Sequence, residues 1–169
     1  MRLSSWAVGR SPAARLARGA AVLALAAAFY APAWASVPVL AFWNRGASAP
    51  SGLYVFEHRT PARRGEMVVL RDPPRFRPGW LLKRVEGTEG DRYCWDGDLG
   101  THRLAGRPMP PPDPVALRIG VPVWRGCVTL GPGELVGYGR GADSYDSRYI
   151  GPVRESDLWG VYAPVWVGD

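Results

Sequence analysis

The sequence predicts a mostly β domain preceded by one apolar N-terminal segment. Beyond Trp43 the chain is interrupted by Gly and Pro, and its apolar residues occur in short runs rather than at helical spacing. Before Trp43 a long uncharged stretch follows four arginines. A chain of 169 residues suffices for one domain with a core, so we expect a single site. The predicted organisation is an N-terminal segment over residues 1–43 and a folded domain over residues 44–169.

The apolar segment, residues 19–43, contains no charged side chain. The arginines before it predict a cytoplasmic N-terminus by the positive-inside rule, and hence a domain on the outer side of the membrane. The segment is either a retained transmembrane anchor or a signal peptide cleaved after the small-x-small site Ala33-Trp34-Ala35. Pro32 and Pro38 favour cleavage, whereas the continuation of the apolar run to Trp43 favours the anchor. We favour the anchor.

Seven β-strands are predicted in the domain, each a short apolar or aromatic run between segments that contain Gly or Pro. They cover residues 53–57, 66–70, 80–86, 92–95, 127–130, 134–138 and 158–164. Residues 107–114 (RPMPPPDP) are predicted to form neither a central strand nor a helix, because proline lacks an amide donor and fixes φ. A surface loop is the simpler interpretation of this stretch, and a ligand for a proline-binding module is the alternative.

The basic charge of the chain does not indicate nucleic-acid binding. The formal net charge is +6, but four of the 21 basic residues precede the apolar segment, at Arg2, Arg10, Arg15 and Arg18. Removing these four leaves 17 basic residues against 15 acidic ones, so the domain itself is nearly neutral. No Lys- or Arg-rich stripe remains to follow a phosphate backbone, and no nucleic-acid partner is expected.

Cys94 and Cys127 are the only cysteines. An even pair in an exported domain predicts one disulfide, and the alternative is two free buried thiols. Together with two scattered histidines, His58 and His102, they fall short of a zinc-site pattern. No metal or other cofactor is expected.

Lys83 is the only lysine in the chain, beside 20 arginines. In a composition that uses Arg wherever a positive charge is needed, a single lysine either survives by chance or is retained where Arg cannot substitute, because an amine can be neutralised by burial and a guanidinium cannot. Strand alternation places Lys83 on one face with Leu81 and Val85. Burial there lowers the amine pKa toward neutrality, as a general base requires. The alternative is a lysine whose stem packs on the sheet while its ammonium reaches water.

Three sequence boxes resemble the type I signal peptidases. Residues 83–91 (KRVEGTEGD) resemble their KRVxGxxGD box, and residues 144–151 (SYDSRYIG) resemble their C-terminal box. Residues 44–54 (NRGASAPSGLY) resemble the segment that bears the nucleophile, and their Ser-x-Pro-x-Gly-Leu-Tyr form is closest to the conjugal-transfer peptidases of the TraF type. The boxes occur in the family's order. The resemblance implies a signal-peptidase-like antiparallel β-sheet domain with an N-terminal transmembrane or signal helix.

The resemblance also implies roles for five residues. Ser48 would be the nucleophile and Lys83 the general base of a Ser/Lys dyad. Ser144 would hydrogen-bond the Lys83 amine and orient it. Asp146 and Arg148 would form a structural ion pair that holds the loop carrying Ser144, although taken alone they could equally be a solvated pair.

The sequence departs from the usual signal peptidase pattern in two places. The family often has a serine two positions before the nucleophile, where it helps to form the oxyanion hole, and here that position is Gly46. The main-chain amide of Ser48 is then the expected oxyanion donor. Residues 139–143 (GRGAD) also differ from the usual GDNRDN before the C-terminal box. Ser51, the serine nearest to Ser48, occupies a variable position of the motif.

The function implied by the resemblance is that of a membrane-associated serine endopeptidase that processes exported precursor proteins. It also implies a location at the bacterial inner membrane, with the catalytic domain in the periplasm. The TraF-like motif implies a pilin or another component of conjugative transfer as substrate, with small residues at positions −1 and −3 of the cleavage site. In that branch the product is either hydrolysed or cyclised. The first alternative is a general type I signal peptidase, and the second is a non-catalytic periplasmic subunit of a transfer channel.

Overall fold

The structure is a computed structural model that describes residues 20, 21, 24, 39–71 and 80–168. Residues 20, 21 and 24 are helical. The rest of the predicted N-terminal helix and the Ala33-Trp34-Ala35 site lie outside the described residues. Among the residues that are described, no helix has the length and apolar character needed to cross a bilayer. The chain divides into two units, Met1–Val37 and Pro38–Asp169, and every predicted site residue belongs to the second unit.

Within the described part of the second unit, eleven strands and two short helices succeed one another along the chain. The strands are β1 (Ala41–Asn44), β2 (Gly52–His58), β3 (Met67–Arg71), β4 (Trp80–Gly87), β5 (Arg92–Asp96), β6 (Thr101–Leu104), β7 (Arg107–Pro108), β8 (Cys127–Thr129), β9 (Glu134–Tyr138), β10 (Val153–Arg154) and β11 (Leu158–Val167). The helices are α1 (Pro114–Arg118) and α2 (Ser147–Ile150), and a single 3-10 turn covers Glu155–Asp157. The prediction of a mostly β domain is confirmed.

Seven strands form one antiparallel sheet in the order β1-β2-β11-β3-β4-β9-β10. Its two faces carry separate apolar clusters, because successive side chains of a strand point to opposite faces. In β4, Leu82 belongs to one cluster, and Leu81 and Val85 pack in the other. The alternation predicted for β4 is therefore observed. Lys83 lies between Leu82 and Arg84 in this strand and pairs with Val68 of β3.

The other four strands form a small sheet in the order β7-β6-β5-β8. The predicted disulfide between Cys94 and Cys127 is present and links β5 to β8 at directly paired positions. A third apolar cluster contains Tyr93 of the small sheet and Val136 and Tyr138 of β9. The small sheet is thus packed against the strand that leads to the C-terminal box.

All seven predicted strands are present, and β1, β6, β7 and β10 were not predicted. The first of these, β1, includes the last residues of the apolar segment, and β6 (THRL) lacks a clear alternation of polar and apolar residues. The prediction for residues 107–114 is wrong at one end: Pro114 begins α1, where Asp113 caps the helix and a proline without an amide hydrogen is tolerated. Pro108 lies in β7 at the edge of the small sheet, a position compatible with proline.

Candidate active site

Lys83 is the buried centre of the site. Only 2% of its surface is exposed, and its Nζ lies 2.7 Å from Ser144 Oγ, to which it donates a hydrogen bond. Burial is the main reason that the pKa of Lys83 is lowered to about 8. The negative charge of Asp146 raises this pKa, and the positive charge of Arg148 lowers it. A substantial fraction of the amine is therefore neutral near pH 8, which is the state that can accept a proton.

The loop that carries Ser144 is held by the ion pair between Asp146 and Arg148. Both side chains are fully buried, and the pair is bidentate, with Arg148 Nη2 2.6 Å from Asp146 Oδ2 and Nε 2.8 Å from Oδ1. Arg148 also donates to the main-chain oxygens of Gly141 and Pro111. Because a buried ion pair is costly unless its remaining donors and acceptors are satisfied, these bonds matter as much as the pair itself.

Two residues of the C-terminal box attach it to the end of β9. Asp146 Oδ2 accepts the Gly139 N–H at 2.8 Å, and Ser147 Oγ accepts the Gly137 N–H at 3.0 Å. Asp146 also caps α2 by accepting the N–H of Arg148. The position of Ser144 is therefore set by the sheet that also carries Lys83.

Ser48 lies in the turn between β1 and β2 and is partly exposed. Its main-chain oxygen accepts the Arg140 N–H at 2.8 Å, which ties the turn to the loop after β9. A Cβ atom added at Gly139 would lie 1.9 Å from Ser144 Oγ and 2.7 Å from Ser48 Cβ. The side chains of Ser48 and Ser144 therefore meet over Gly139, and the structure brings together the three residues Ser48, Lys83 and Ser144.

The structure explains why the fifth position of the Ser-x-Pro-x-Gly-Leu-Tyr motif is a glycine. Gly52 has φ of 153°, and a Cβ added there would lie 2.1 Å from the main-chain oxygen of Trp166 in β11. Any side chain at this position would push β11 away from β2. The tyrosine of the motif, Tyr54, is buried and donates its hydroxyl to the Pro50 oxygen at 3.0 Å. Both residues therefore support the turn that carries Ser48.

A cleft of about 660 Å³ begins at Ser48. It extends over both apolar and charged side chains of the sheet and of the proline-containing loop. Its lining includes Ser48, Pro50, Tyr54, Met67, Arg84, Glu86, Met109, Tyr138, Gly139 and Arg140. The cleft is large enough for several residues of an extended peptide, and the partly exposed Ser48 is accessible from it.

The expected oxyanion donor is available. Within the described residues, the main-chain N–H of Ser48 donates no hydrogen bond, whereas the N–H of Gly46 is bonded to Asn44 Oδ1 at 3.1 Å. An unbonded amide beside the cleft can stabilise negative charge on a substrate oxygen.

Sequence reasoning missed three residues that shape this site. Gly137 makes room for the Lys83 stem, because a Cβ there would lie 3.1 Å from Lys83 Cβ. Gly139 makes room for both serines, and Asn44 hydrogen-bonds the turn that carries Ser48. The sequence signals were the short spacing of Gly137 and Gly139 at the end of a predicted strand, and the place of Asn44 at the start of the nucleophile box.

A serine hydroxyl in a cleft, a buried lysine amine and a second serine bonded to that amine are the groups of a serine hydrolase that uses lysine instead of histidine as its base. The sequence model of the family described as "Signal peptidase, peptidase S26" matches residues 13–167. The chain belongs to this family, whose members are serine endopeptidases with a Ser/Lys dyad.

The chain is also similar to a solved structure, the crystal structure of a signal peptidase I from Enterococcus faecalis V583. The identity is 18%, the TM-score is 0.39, and the match covers 60% of this chain and 97% of the other. No curated protein sequence matches the chain.

Proposed function

We propose that the chain is a membrane-associated serine endopeptidase in which Ser48 is the nucleophile, Lys83 the general base and Ser144 the residue that orients the base. The observation that carries the proposal is the 2.7 Å contact between the buried Lys83 amine and Ser144, beside Ser48 across Gly139. A buried amine with a lowered pKa and a hydroxyl in a cleft serve acyl transfer better than any structural purpose, because burial of an amine destabilises the fold.

The reaction proceeds through an acyl-enzyme. Neutral Lys83 accepts the hydroxyl proton of Ser48 as Ser48 Oγ bonds to the carbonyl carbon of the substrate. The Ser48 N–H stabilises the oxyanion. The peptide C–N bond then breaks, the leaving nitrogen takes the proton from Lys83, and an ester remains on Ser48. Attack by water, with Lys83 again accepting the proton, forms the carboxylate product and regenerates the Ser48 hydroxyl.

We propose an exported precursor as the substrate, with small residues at positions −1 and −3, and a pilin or another component of conjugative transfer as its source. This choice rests on the TraF-like motif around Ser48. In this branch the amino terminus of the pilin itself can replace water in the second step, which gives a cyclic product. We place the catalytic domain in the periplasm at the inner membrane, on the support of the N-terminal arginines and apolar segment and of the Cys94–Cys127 disulfide.

A general type I signal peptidase is the second candidate function, and membership in the family favours it as much as the first. A non-catalytic subunit of a transfer channel is the third. The third gives no reason for a buried amine beside two serines.

One experiment separates these functions. The purified chain and Ser48→Ala are each incubated with a pilin precursor of a conjugative transfer system and with an unrelated secreted precursor, and the products are measured by mass spectrometry. We expect the chain to cleave the pilin precursor and Ser48→Ala to cleave neither. Equal cleavage of both precursors would establish the general signal peptidase, and no cleavage of either would support the non-catalytic subunit. The mass of the pilin product distinguishes a linear chain from a cyclic one by one water molecule.

A further inference from the structure

One side chain, that of Asn44, holds the turn that carries Ser48. Asn44 is the last residue of β1 and pairs with Gly52, the first residue of β2, so the turn between these strands comprises residues 45–51. Neither the motif resemblance nor the proposed reaction assigns a role to Asn44.

Asn44 bonds to the turn on both sides of Ser48. Its Nδ2 lies 3.1 Å from the main-chain oxygens of Gly46 and Ala49 and 3.0 Å from that of Pro50. Its Oδ1 accepts the Gly46 N–H at 3.1 Å, and its own main-chain oxygen accepts Ser51 Oγ at 3.1 Å. One side-chain amide therefore hydrogen-bonds carbonyl oxygens that precede and follow Ser48 in the sequence.

The chemistry of these contacts requires an amide. The two N–H groups of Nδ2 serve three carbonyl acceptors, while Oδ1 serves one donor. A carboxylate would keep the acceptor for Gly46 but would turn an oxygen toward three carbonyl oxygens. An apolar side chain would satisfy none of them. The side chain of Ala49 is buried in an apolar cluster of the sheet, so both this cluster and Asn44 hold the turn.

The position of the turn determines two properties of Ser48. One is the packing of its Cβ against Gly139, beside Ser144. The other is the direction of its main-chain N–H, which donates no hydrogen bond within the described residues and is free for an oxyanion. A displacement of the nucleophile by about 1 Å can lower the rate of a reaction about 10²-fold.

We propose that Asn44 is a positioning residue for the nucleophile: it holds the Ser48 hydroxyl and the Ser48 amide in place for attack and for oxyanion stabilisation. This inference rests on the proposed peptidase function. Within the described residues Asn44 forms no hydrogen bond to Lys83 or Ser144, so we expect it to affect the chemical step rather than the ionisation of the base.

Asp96 provides a matched control for Asn44. It is the last residue of β5, and its Oδ1 accepts the N–H groups of Asp98 and Leu99 at 3.1 Å each in the turn after this strand. Asn44→Ala and Asp96→Ala each remove a turn-supporting side chain, one beside Ser48 and one in the small sheet. Asp96→Ala also removes the ion pair of Asp96 with Arg103. Both variants, wild type and Ser48→Ala are tested with a precursor peptide that wild type cleaves, and thermal unfolding is recorded for each.

For Asn44→Ala we expect kcat to fall about 10²-fold while KM stays close to that of wild type. The pH at which kcat/KM is half-maximal should not change. Asp96→Ala should lose stability and keep the kcat of wild type. If Asn44→Ala does not fold, the same measurements are made on Asn44→Asp, which preserves the shape of the side chain and for which we expect the same loss of kcat.

The results distinguish a failure of the positioning role of Asn44 from a failure of the proposed peptidase function. An active wild type and a folded Asn44 variant with the kcat of wild type would overturn the positioning role alone. The same conclusion would hold if Asp96→Ala lost as much kcat as the Asn44 variant. A wild type no more active than Ser48→Ala on any precursor would overturn the peptidase function, and the positioning role with it.

Discussion

At the scale of single residues, Lys83 carries the strongest physical argument. An amine in an apolar sheet is destabilising as a cation, and its pKa falls accordingly to about 8. In the proposed mechanism the same property is useful, because the neutral amine accepts a proton. The single lysine among 20 arginines therefore lies at the position of the proposed base, where an arginine could not serve.

We predict that Lys83→Arg and Lys83→Met each abolish precursor cleavage. A guanidinium does not give up its proton at any pH used for the assay, and a thioether has no proton-accepting amine. Methionine fills a similar volume without a charge, so Lys83→Met should fold at least as stably as wild type. Cleavage is measured by mass spectrometry and folding by circular dichroism, and cleavage by a folded Lys83→Met would eliminate the amine as the base.

The pH dependence of cleavage should report the same amine. We predict that kcat/KM rises as pH increases through about 8, because Lys83 must lose its proton before it can act as a base. Removing the hydroxyl in Ser144→Ala should lower kcat, since nothing then orients the amine toward Ser48. A wild-type profile that stays flat from pH 6 to pH 10 would contradict this prediction.

The lowered pKa of Lys83 also makes the stability of the fold depend on pH. The pKa of Lys83 is about 8 in the folded state and 10.5 in the unfolded chain, so between these values the unfolded chain binds more protons. The contribution of Lys83 to the free energy of unfolding therefore increases as pH rises from about 8 toward 10. Denaturant unfolding of wild type and Lys83→Met should show this slope in wild type and its loss in the variant.

At the scale of elements, the end of β9 brings the candidate site together. Gly137 leaves space for the stem of Lys83. Gly139 leaves space for Ser48 and Ser144. Their N–H groups bond to the C-terminal box. Two alternate glycines at the end of one strand thus allow three chain segments to approach each other closely, which larger residues would prevent.

We predict that Gly139→Ala abolishes cleavage. The added methyl group would overlap Ser144 Oγ and approach Ser48 Cβ within 2.7 Å, so both serines must move. Gly97→Ala is the matched control, because its added Cβ would make only an ordinary contact, 3.7 Å from Trp95 Nε1. Activity and thermal unfolding are compared for the two variants, and an active Gly139→Ala would show that the serines do not need this close approach.

At the scale of the whole molecule, the small sheet supports the site through the contacts of Tyr93 with β9 and with the C-terminal box. The Tyr93 hydroxyl lies 3.0 Å from the Tyr138 hydroxyl and donates to the main-chain oxygen of Ser147 at 2.9 Å. Tyr93 is next to Cys94, whose disulfide to Cys127 spans 33 residues. The disulfide therefore closes the chain segment that contains the proline-rich loop and Met109, one wall of the cleft.

We predict that Cys94→Ser/Cys127→Ser lowers the free energy of unfolding by about 3–4 kcal/mol, the entropic effect expected for a loop of this length. Denaturant unfolding of the variant, and of wild type with and without a reductant, measures the change. Reduced wild type should match the double variant. Equal stability of all three would mean that the packing around Tyr93 holds the small sheet without the covalent link.

The sequence by itself determined the mostly β class, most strand positions, the disulfide and the association of Ser48, Lys83 and Ser144 with one site. Short-range alternation and motif order are local properties, and a sequence displays them directly. Only the tertiary structure decided that Ser48 and Ser144 meet over Gly139, that Asn44 hydrogen-bonds the carbonyl oxygens of the turn that carries Ser48, and that Pro114 begins a helix. The physical reason differs for each feature, but none of them leaves a periodic pattern in the sequence. The approach of Ser48 and Ser144 joins segments far apart in the chain, the Asn44 bonds depend on the conformation of one turn, and the helix at Pro114 depends on its cap.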